Sequence, residues 1–305
     1  MFGSVIKSCN AINERYYARR ASKSPWGKMI NEYQAAPVSN VRTVVNRYNP
    51  SAPSVRPSAP SAPSVKKEYV LPKSAAYTPW YKDILENATH LLIAGETGSG
   101  KSVVLNGILH TALALYAPGE MSFCLIDPKM VELSPYEDLP HTVRYETEPE
   151  DVLALLRDVY DFMMKRYEEM TAKRLKKYDG AKLVIVIDEL ADLLLSDCGK
   201  DIKKEIIKLL QKGRAANIML ICATQAPSRK VLSAELLLNM TNRIGLHCAN
   251  AIESKQIVGE KGAESLPAHG SALYKAPNTP VRRVDSIPFF ADEELDERIN
   301  FWLEQ

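Results

Sequence analysis

Eight residues, Gly95-Glu96-Thr97-Gly98-Ser99-Gly100-Lys101-Ser102, constrain this chain more than any other stretch. They separate an apolar run, His90 to Ala94, from a helical pattern, Lys101 to Tyr116. Glycines at 95, 98 and 100 let backbone amides turn inward where side chains would collide. The following helix adds the positive end of its dipole. Strand, glycine loop and helix in that order form a phosphate-binding unit, with Lys101 placed for the terminal phosphates and the Ser102 hydroxyl for a magnesium ion. The spacing differs from the G-x-G-x-x-G of dinucleotide folds, which Gly98-Ser99-Gly100-Lys101-Ser102-Val103 does not supply. All eight residues, Glu96, Thr97 and Ser99 included, are therefore expected to hold ATP or a close relative, with Mg2+.

The unit needs a sheet, and the sequence after about Lys73 supplies one. Short apolar runs alternate there with helical patterns, which predicts an α/β fold with a mainly parallel central sheet flanked by helices. Strands are predicted at His90 to Ala94, Met121 to Ile126, Leu183 to Ile187 and Asn217 to Ala223. Further strands are predicted at Arg243 to Cys248, Ser271 to Tyr274 and Val281 to Val284. Helices are expected at Asp151 to Lys177, with Val152, Leu155, Leu156, Val159, Phe162 and Met163 on one face, at Ile202 to Lys212, and at Asp292 to Trp302.

The net charge of +2 hides an asymmetry: residues 1–67 hold eleven Lys and Arg against Glu14 and Glu32, a local +9, so the remainder carries −7. Within the basic part, Pro50-Ser-Ala-Pro-Ser-Val55 recurs as Pro60-Ser-Ala-Pro-Ser-Val65. Such a segment favours extended polyproline II and reads as a semi-rigid linker. Residues 1–72 are thus expected to be a disordered basic Pro/Ser/Ala-rich tail with at most a short helix around Ala11 to Arg20, and residues 73–305 the globular domain. The tail's charge suits nucleic acid or an anionic membrane surface, and equally a solvated extension. No run approaches the roughly 18 apolar residues of a membrane span. Lys7, Glu14, Arg15, Arg19 and Arg20 interrupt any secretory signal. The five cysteines (Cys9, Cys124, Cys198, Cys222, Cys248) are odd in number and lack a C-x-x-C pair, which points to reduced thiols, no zinc site and a cytoplasmic location.

Phosphoryl transfer needs acidic groups beside the loop. Leu183-Val-Ile-Val-Ile-Asp188-Glu189 places two at the end of a buried strand. Asp188 is the expected magnesium-side carboxylate, together with Ser102, and Glu189 is placed to polarise water. Thr224 and Gln225 end the next strand at the same sheet edge, where the Gln225 amide would sense the terminal phosphate or position water. Asp127-Pro128-Lys129 ends another strand there, either structuring the site or forming a solvated loop.

With these residues in place, the sequence resembles the motor ATPase domain of the FtsK/SpoIIIE family of double-stranded DNA translocases, over roughly residues 88–303. His90-Leu-Leu-Ile-Ala-Gly-Glu-Thr-Gly-Ser-Gly-Lys-Ser-Val103 is similar to the family's loop block, and Leu125-Ile-Asp-Pro-Lys-Met-Val-Glu-Leu-Ser134 to its second block. Val186-Ile-Asp-Glu-Leu-Ala-Asp192 resembles its acidic motif; Lys212-Gly-Arg-Ala-Ala216 and Ala223-Thr-Gln-Ala-Pro-Ser228 resemble its sensor region. Gly262-Ala-Glu264 and His269-Gly-Ser-Ala-Leu-Tyr274 echo its C-terminal part.

The resemblance implies a RecA-like P-loop NTPase core, a hexameric ring around duplex DNA, and ATP bound between subunits. It also implies a cation reaching across the interface: Arg214 matches the family's arginine, Arg243 is a second candidate, and action in cis or in trans stays open. The membrane helices, preceding domain and winged helix of segregation members have no counterpart in this sequence, so the expectation is a compact motor of a mobile element or phage. The function expected is an ATP-dependent DNA translocase. The alternative is a coupling or secretion ATPase acting on a protein or nucleoprotein, with the basic tail docking the partner.

Overall fold

The computed structural model describes residues 77–305; the basic tail, its linker and the helix expected near Ala11 lie outside them. The described part contains an eight-stranded sheet in the order β3-β2-β4-β5-β1-β6-β7-β8. Here β1 is Leu91–Ala94, β2 Met121–Ile126, β3 Thr142–Glu146, β4 Lys182–Ile187, β5 Ile218–Thr224, β6 Asn242–Gly245, β7 Ala272–Lys275 and β8 Arg282–Val284. The six strands from β3 across to β6 pair in parallel, while β7 and β8 join antiparallel at one edge. The α/β class read from the sequence is the observed one, and the order sets β5 between β1 and β4.

Parallel strands need crossovers, and right-handed crossovers running in opposite directions along a sheet put their helices on opposite faces. The connection from β1 to β2 runs one way through α2, Lys101–Leu115. Those from β3 to β4 and from β4 to β5 run the other way, through α3, Pro149–Lys173, and α5, Gly199–Lys212. Two helical layers result. One holds α1, Pro79–Asn87, against α2, with the final helix α8, Asp292–Leu303, packed on α2 as well. The other holds α3 against α5.

The central strands lie between those layers, so β4 and β5 are buried throughout apart from Lys182 at the entry to β4. A strand covered on both faces is uniformly apolar rather than alternating, as in Leu183-Val-Ile-Val-Ile187. Helix α3 buries the predicted stripe and adds Arg166 and Met170. Arg166 donates to the carbonyls of Ala216 at 2.7 Å and Ala181 at 2.9 Å, tying the helix to the entrances of β5 and β4.

Several elements differ from expectation. Helix α3 stops at Lys173 rather than Lys177, because Arg174 turns left-handed at φ 56° and Leu175 N–H closes on the Met170 carbonyl at 2.8 Å, the six-to-one bond of a Schellman ending. Strand β3 and helix α1 were not expected, nor were the short α4, Leu190–Leu195, and α6, Ala234–Asn239, or α7, Ala251–Val258. No described helix is long and apolar enough to cross a membrane.

Candidate functional site

The carboxyl ends of β1, β2, β4 and β5 share one edge of the sheet, the edge where open α/β folds bind ligands. The chain leaves β1 into the glycine loop, where Gly98 and Gly100 hold φ values of 78° and 98°. A side chain at either position would be strained. Lys101, which opens α2, is 6% exposed and donates from Nζ to the carbonyls of Gly95 at 3.0 Å and Glu96 at 2.7 Å. Burial lowers the Lys101 ammonium's pKa, against the pull of Glu189 and Asp188 nearby. The loop also holds a buried Ser99 hydroxyl that meets no partner.

The two acids at the end of β4 take different roles. Asp188 is anchored through its backbone, N–H to the Ile126 carbonyl at 3.1 Å. Burial raises its carboxyl to about 7, helped by Asp127, Glu132 and Glu189 and opposed by Lys129. A cation placed among those carboxylates would restore its charge. Glu189 caps α4 by accepting from Ala191 N–H at 3.1 Å, and its Oε1 also accepts from the Thr224 hydroxyl at 2.8 Å. Gln225 N–H reaches Oε2 at 3.0 Å. The carboxylate is thus held by its own helix and by the end of the neighbouring strand.

Gln225 sits where the sequence placed it and also touches the loop: its Oε1 accepts from the Thr97 hydroxyl at 2.6 Å. The Asp127-Pro128-Lys129 turn is structured around Asp127 while Lys129 stays exposed. Buried Asp127 accepts from Lys129 N–H at 3.2 Å and Leu133 N–H at 2.9 Å, and Lys129 Nζ lies 3.8 Å from Glu189 Oε2. Two residues of this site escaped the sequence reading. Glu132 belongs to the same charge cluster. His247, just beyond β6, offers its carbonyl to Glu96 N–H at 2.9 Å.

The two arginines part company. Arg214 is exposed in the turn before β5, whose far end carries Thr224 and Gln225. At ~3.3 Å per residue that strand spans roughly 20 Å, so Arg214 lies at the edge of the sheet opposite its own glycine loop. Arg243 is held in place by the carbonyls of Met240 at 2.7 Å, Ile257 at 3.2 Å and Leu237. Its guanidinium is thus engaged by three carbonyls of its own fold.

Comparison with known proteins places this arrangement. Residues 62–182 match the FtsK/SpoIIIE family. The chain is 37% identical over 239 residues to a DNA translocase FtsK of Streptococcus pneumoniae, covering 71% of this chain and 31% of that protein. It is 38% identical over 232 residues to the DNA translocase FtsK of Leptospira interrogans, covering 70% of this chain and 24% of that protein. The chain belongs to the FtsK/SpoIIIE family. It spans under a third of the length of these family relatives. Among solved structures it resembles the pCW3 conjugation coupling protein TcpA with ATPgS, at TM-score 0.61 and 25% identity, covering 72% of this chain and 66% of that one. It also resembles the cytoplasmic domain of the type VII secretion ATPase EccC of Thermomonospora curvata, at TM-score 0.59 and 25% identity, covering 70% and 27%.

As an FtsK/SpoIIIE-family P-loop ATPase, the domain has the donors its substrate requires: left-handed glycines, an orphan Ser99 hydroxyl and the Lys101 ammonium. Oxygen donors suited to magnesium come from Ser102 and Asp188. Among the described residues no group of three His, Cys, Asp or Glu forms a metal cage. An ion held by Ser102 and Asp188 therefore needs phosphate oxygens and water for most of its shell.

Proposed function

We propose that this chain is an ATP-driven motor that moves double-stranded DNA, working as a hexameric ring with ATP between subunits. The observation that carries the reading is the fixed Glu189 carboxylate beside Lys101 and Asp188, joined to the Thr97 and Gln225 pair. A switch that only binds nucleotide has little use for such a base, whereas a hydrolase needs one. Family relatives named as DNA translocases supply the substrate class.

In this reading Gly95 to Ser102 hold the triphosphate, and magnesium on Ser102 and Asp188 neutralises phosphate charge. Lys101 swings from its two loop carbonyls to the terminal phosphates. Glu189 takes the proton of the attacking water. Gln225, bonded to Thr97, relates the state of the loop to the end of β5, and Arg214 of one subunit stabilises charge in the next. Residues 1–67 bring a local net charge of +9 to the motor. The motor works in the cytoplasm and serves a mobile element or phage.

ATP turnover with duplex DNA, single-stranded DNA and no DNA, alongside a size measurement with ATP, tests the proposal. Duplex should stimulate turnover at low salt and the effect should fade as salt rises, since contacts to phosphates release counterions. Turnover indifferent to DNA at low salt would sink it.

A second reading rests on the likeness to a conjugation coupling protein and a type VII secretion ATPase. The motor then acts on a protein or nucleoprotein, and the basic tail docks the partner. Capture of a relaxase or secretion subunit that disappears when residues 1–67 are deleted favours this reading; capture unaffected by the deletion counts against the docking role.

A further inference from the structure

Lys129 stands on the turn that ends β2, and β2 pairs with β4 through Ile126 and Ile187, so the turn lies next to Asp188 and Glu189. Its backbone is fixed. Lys129 N–H bonds Asp127 Oδ1 at 3.2 Å, and the following residue, Met130, is left-handed at φ 56° with its N–H on the Asp127 carbonyl at 3.1 Å. The side chain has more freedom. It is 41% exposed and ends 3.8 Å from Glu189 Oε2 and 3.7 Å from Asp192 Oδ2, beyond the ~2.7–2.9 Å of a charge-assisted hydrogen bond. The ammonium faces two carboxylates and is hydrogen-bonded to neither.

Glu189 does not need that ammonium to stay in place, because Ala191 N–H, the Thr224 hydroxyl and Gln225 N–H already hold its two oxygens. Lys129 is therefore a loosely held counter-ion. Exposed ion pairs stabilise weakly, and an ammonium on a flexible four-carbon stem can leave one for a stronger anion. The strand order supplies the place for that anion. Lys101 follows β1 and Lys129 follows β2, with β4 and its two acids between those strands, and the charge of Lys129 is felt by both Lys101 and Asp188. A terminal phosphate held by Lys101 and attacked by water on Glu189 has Lys129 on its other side. Phosphoryl transfer spreads charge over three equatorial oxygens, so cations on both sides stabilise it.

We propose that Lys129 is a second lysine for the terminal phosphate: it rests on Glu189 and Asp192 until ATP binds, then moves its ammonium to the third phosphate and leaves Glu189 clear for the attacking water. The inference rests on the reading of residues 95–102 as the triphosphate loop and of Glu189 as the base. It adds a way to tell ATP from ADP. ADP offers no third phosphate, so the ammonium stays on the two acids, and once phosphate departs after hydrolysis Lys129 returns to them.

The test compares binding of ADP and of the slowly hydrolysed analogue ATPγS, each with magnesium, by calorimetry on the full chain. Lys129→Met should weaken ATPγS by about 10- to 100-fold, the range of one hydrogen bond to a charged group, and leave ADP unchanged. Lys129→Arg keeps the charge and should recover most of the ATPγS affinity. Because Lys129 is exposed, the substitution removes little packing, and the unchanged ADP affinity checks that the loop is intact. ATPγS affinity equal to wild type in Lys129→Met, or a parallel loss of both nucleotides, overturns the role of Lys129. A wild-type chain that binds neither nucleotide overturns the loop assignment and this inference with it. Turnover retained in Glu189→Gln removes the base alone, since the ratio of ATPγS to ADP affinity in Lys129→Met reads the phosphate contact independently.

Discussion

The Thr224 hydroxyl donates to Glu189 Oε1 over 2.8 Å, linking the last residue of β5 to the acid that follows β4. A hydrogen bond to a charged acceptor contributes roughly 1.5–3 kcal/mol, and Thr224 is completely buried. Thr224→Val keeps the shape and removes the donor. If Glu189 is the base, ATP turnover should fall by about 10- to 100-fold with the KM for ATP little changed, and Thr224→Ser should recover most of it. Steady-state kinetics of the three proteins decide; full turnover in Thr224→Val would show that the bond only braces the fold.

Glu189 itself gives a sharper outcome. Glu189→Gln keeps an oxygen for Ala191 N–H and Gln225 N–H but cannot take a proton, so nucleotide should still bind while turnover drops by at least about 100-fold. Titration with a labelled nucleotide and a phosphate-release assay read the two quantities separately. Retained turnover would remove Glu189 as the base.

Gly95 is constrained by its neighbours rather than by its dihedral. A Cβ there would sit 2.7 Å from Leu246 Cβ and 2.9 Å from the His247 carbonyl oxygen. Backbone cannot yield as a flexible side chain does, so Gly95→Ala should cost on the order of 1–3 kcal/mol. It should also push the loop away from β6 and weaken nucleotide binding. Urea unfolding and nucleotide titration measure both effects; a variant as stable as the parent would show that the contact relaxes freely.

How much of this was legible beforehand depends on whether the signal was local. The glycine loop, β4 with its terminal acids, and the α3 stripe are contiguous patterns, and each was readable from a single window of sequence. Strand β3 was not, because Thr142-Val-Arg-Tyr-Glu146 is an edge strand with two charges that pair with each other. Helix α1 opens on Pro79 and buries Tyr81, Ile84 and Leu85, too short a run to show a period. The partners of Glu189 lie 35 and 36 residues away and meet it only because β5 pairs with β4. The separate fates of Arg214 and Arg243 likewise follow from strand order, which no local pattern encodes.

Acid should weaken this domain earlier than carboxylate chemistry alone would. Buried His90 accepts from Leu220 N–H at Nδ1 and bonds the Leu210 carbonyl through Nε2, an arrangement open only to the neutral ring. Burial pushes His90 down to about 4, and His110 and His141 are likewise pushed to about 4. In the unfolded chain each takes a proton near ~6.5. The unfolded state therefore binds more protons between about 6.5 and 4, and stability, full above that window, falls as pH drops through it. Asp188 has the opposite sign: raised to about 7, it gains a proton in the folded state first and offsets part of the loss. Without magnesium, Asp188→Asn should steepen the decline by up to about 1.4 kcal/mol per pH unit, read from urea unfolding at pH 7, 6 and 5. An unchanged slope would show that Asp188 titrates normally.

Arg214 stands at the strand-entry edge of the sheet, while the loop it is proposed to serve lies at the other. The proposal therefore assigns it to a triphosphate on another copy of the chain. Arg214→Ala alone should bind ATP normally and lose about 10³-fold or more in turnover, the scale of a transition-state arginine. Lys101→Ala alone should fail to bind. Mixing the two dead proteins before assembly is the decisive step. Some interfaces then pair an intact loop on the Arg214→Ala subunit with an intact arginine on the Lys101→Ala subunit, and turnover should reappear. A mixture as inactive as its components would mean that Arg214 serves no neighbouring site, and that the cation of the interface comes from elsewhere in the chain.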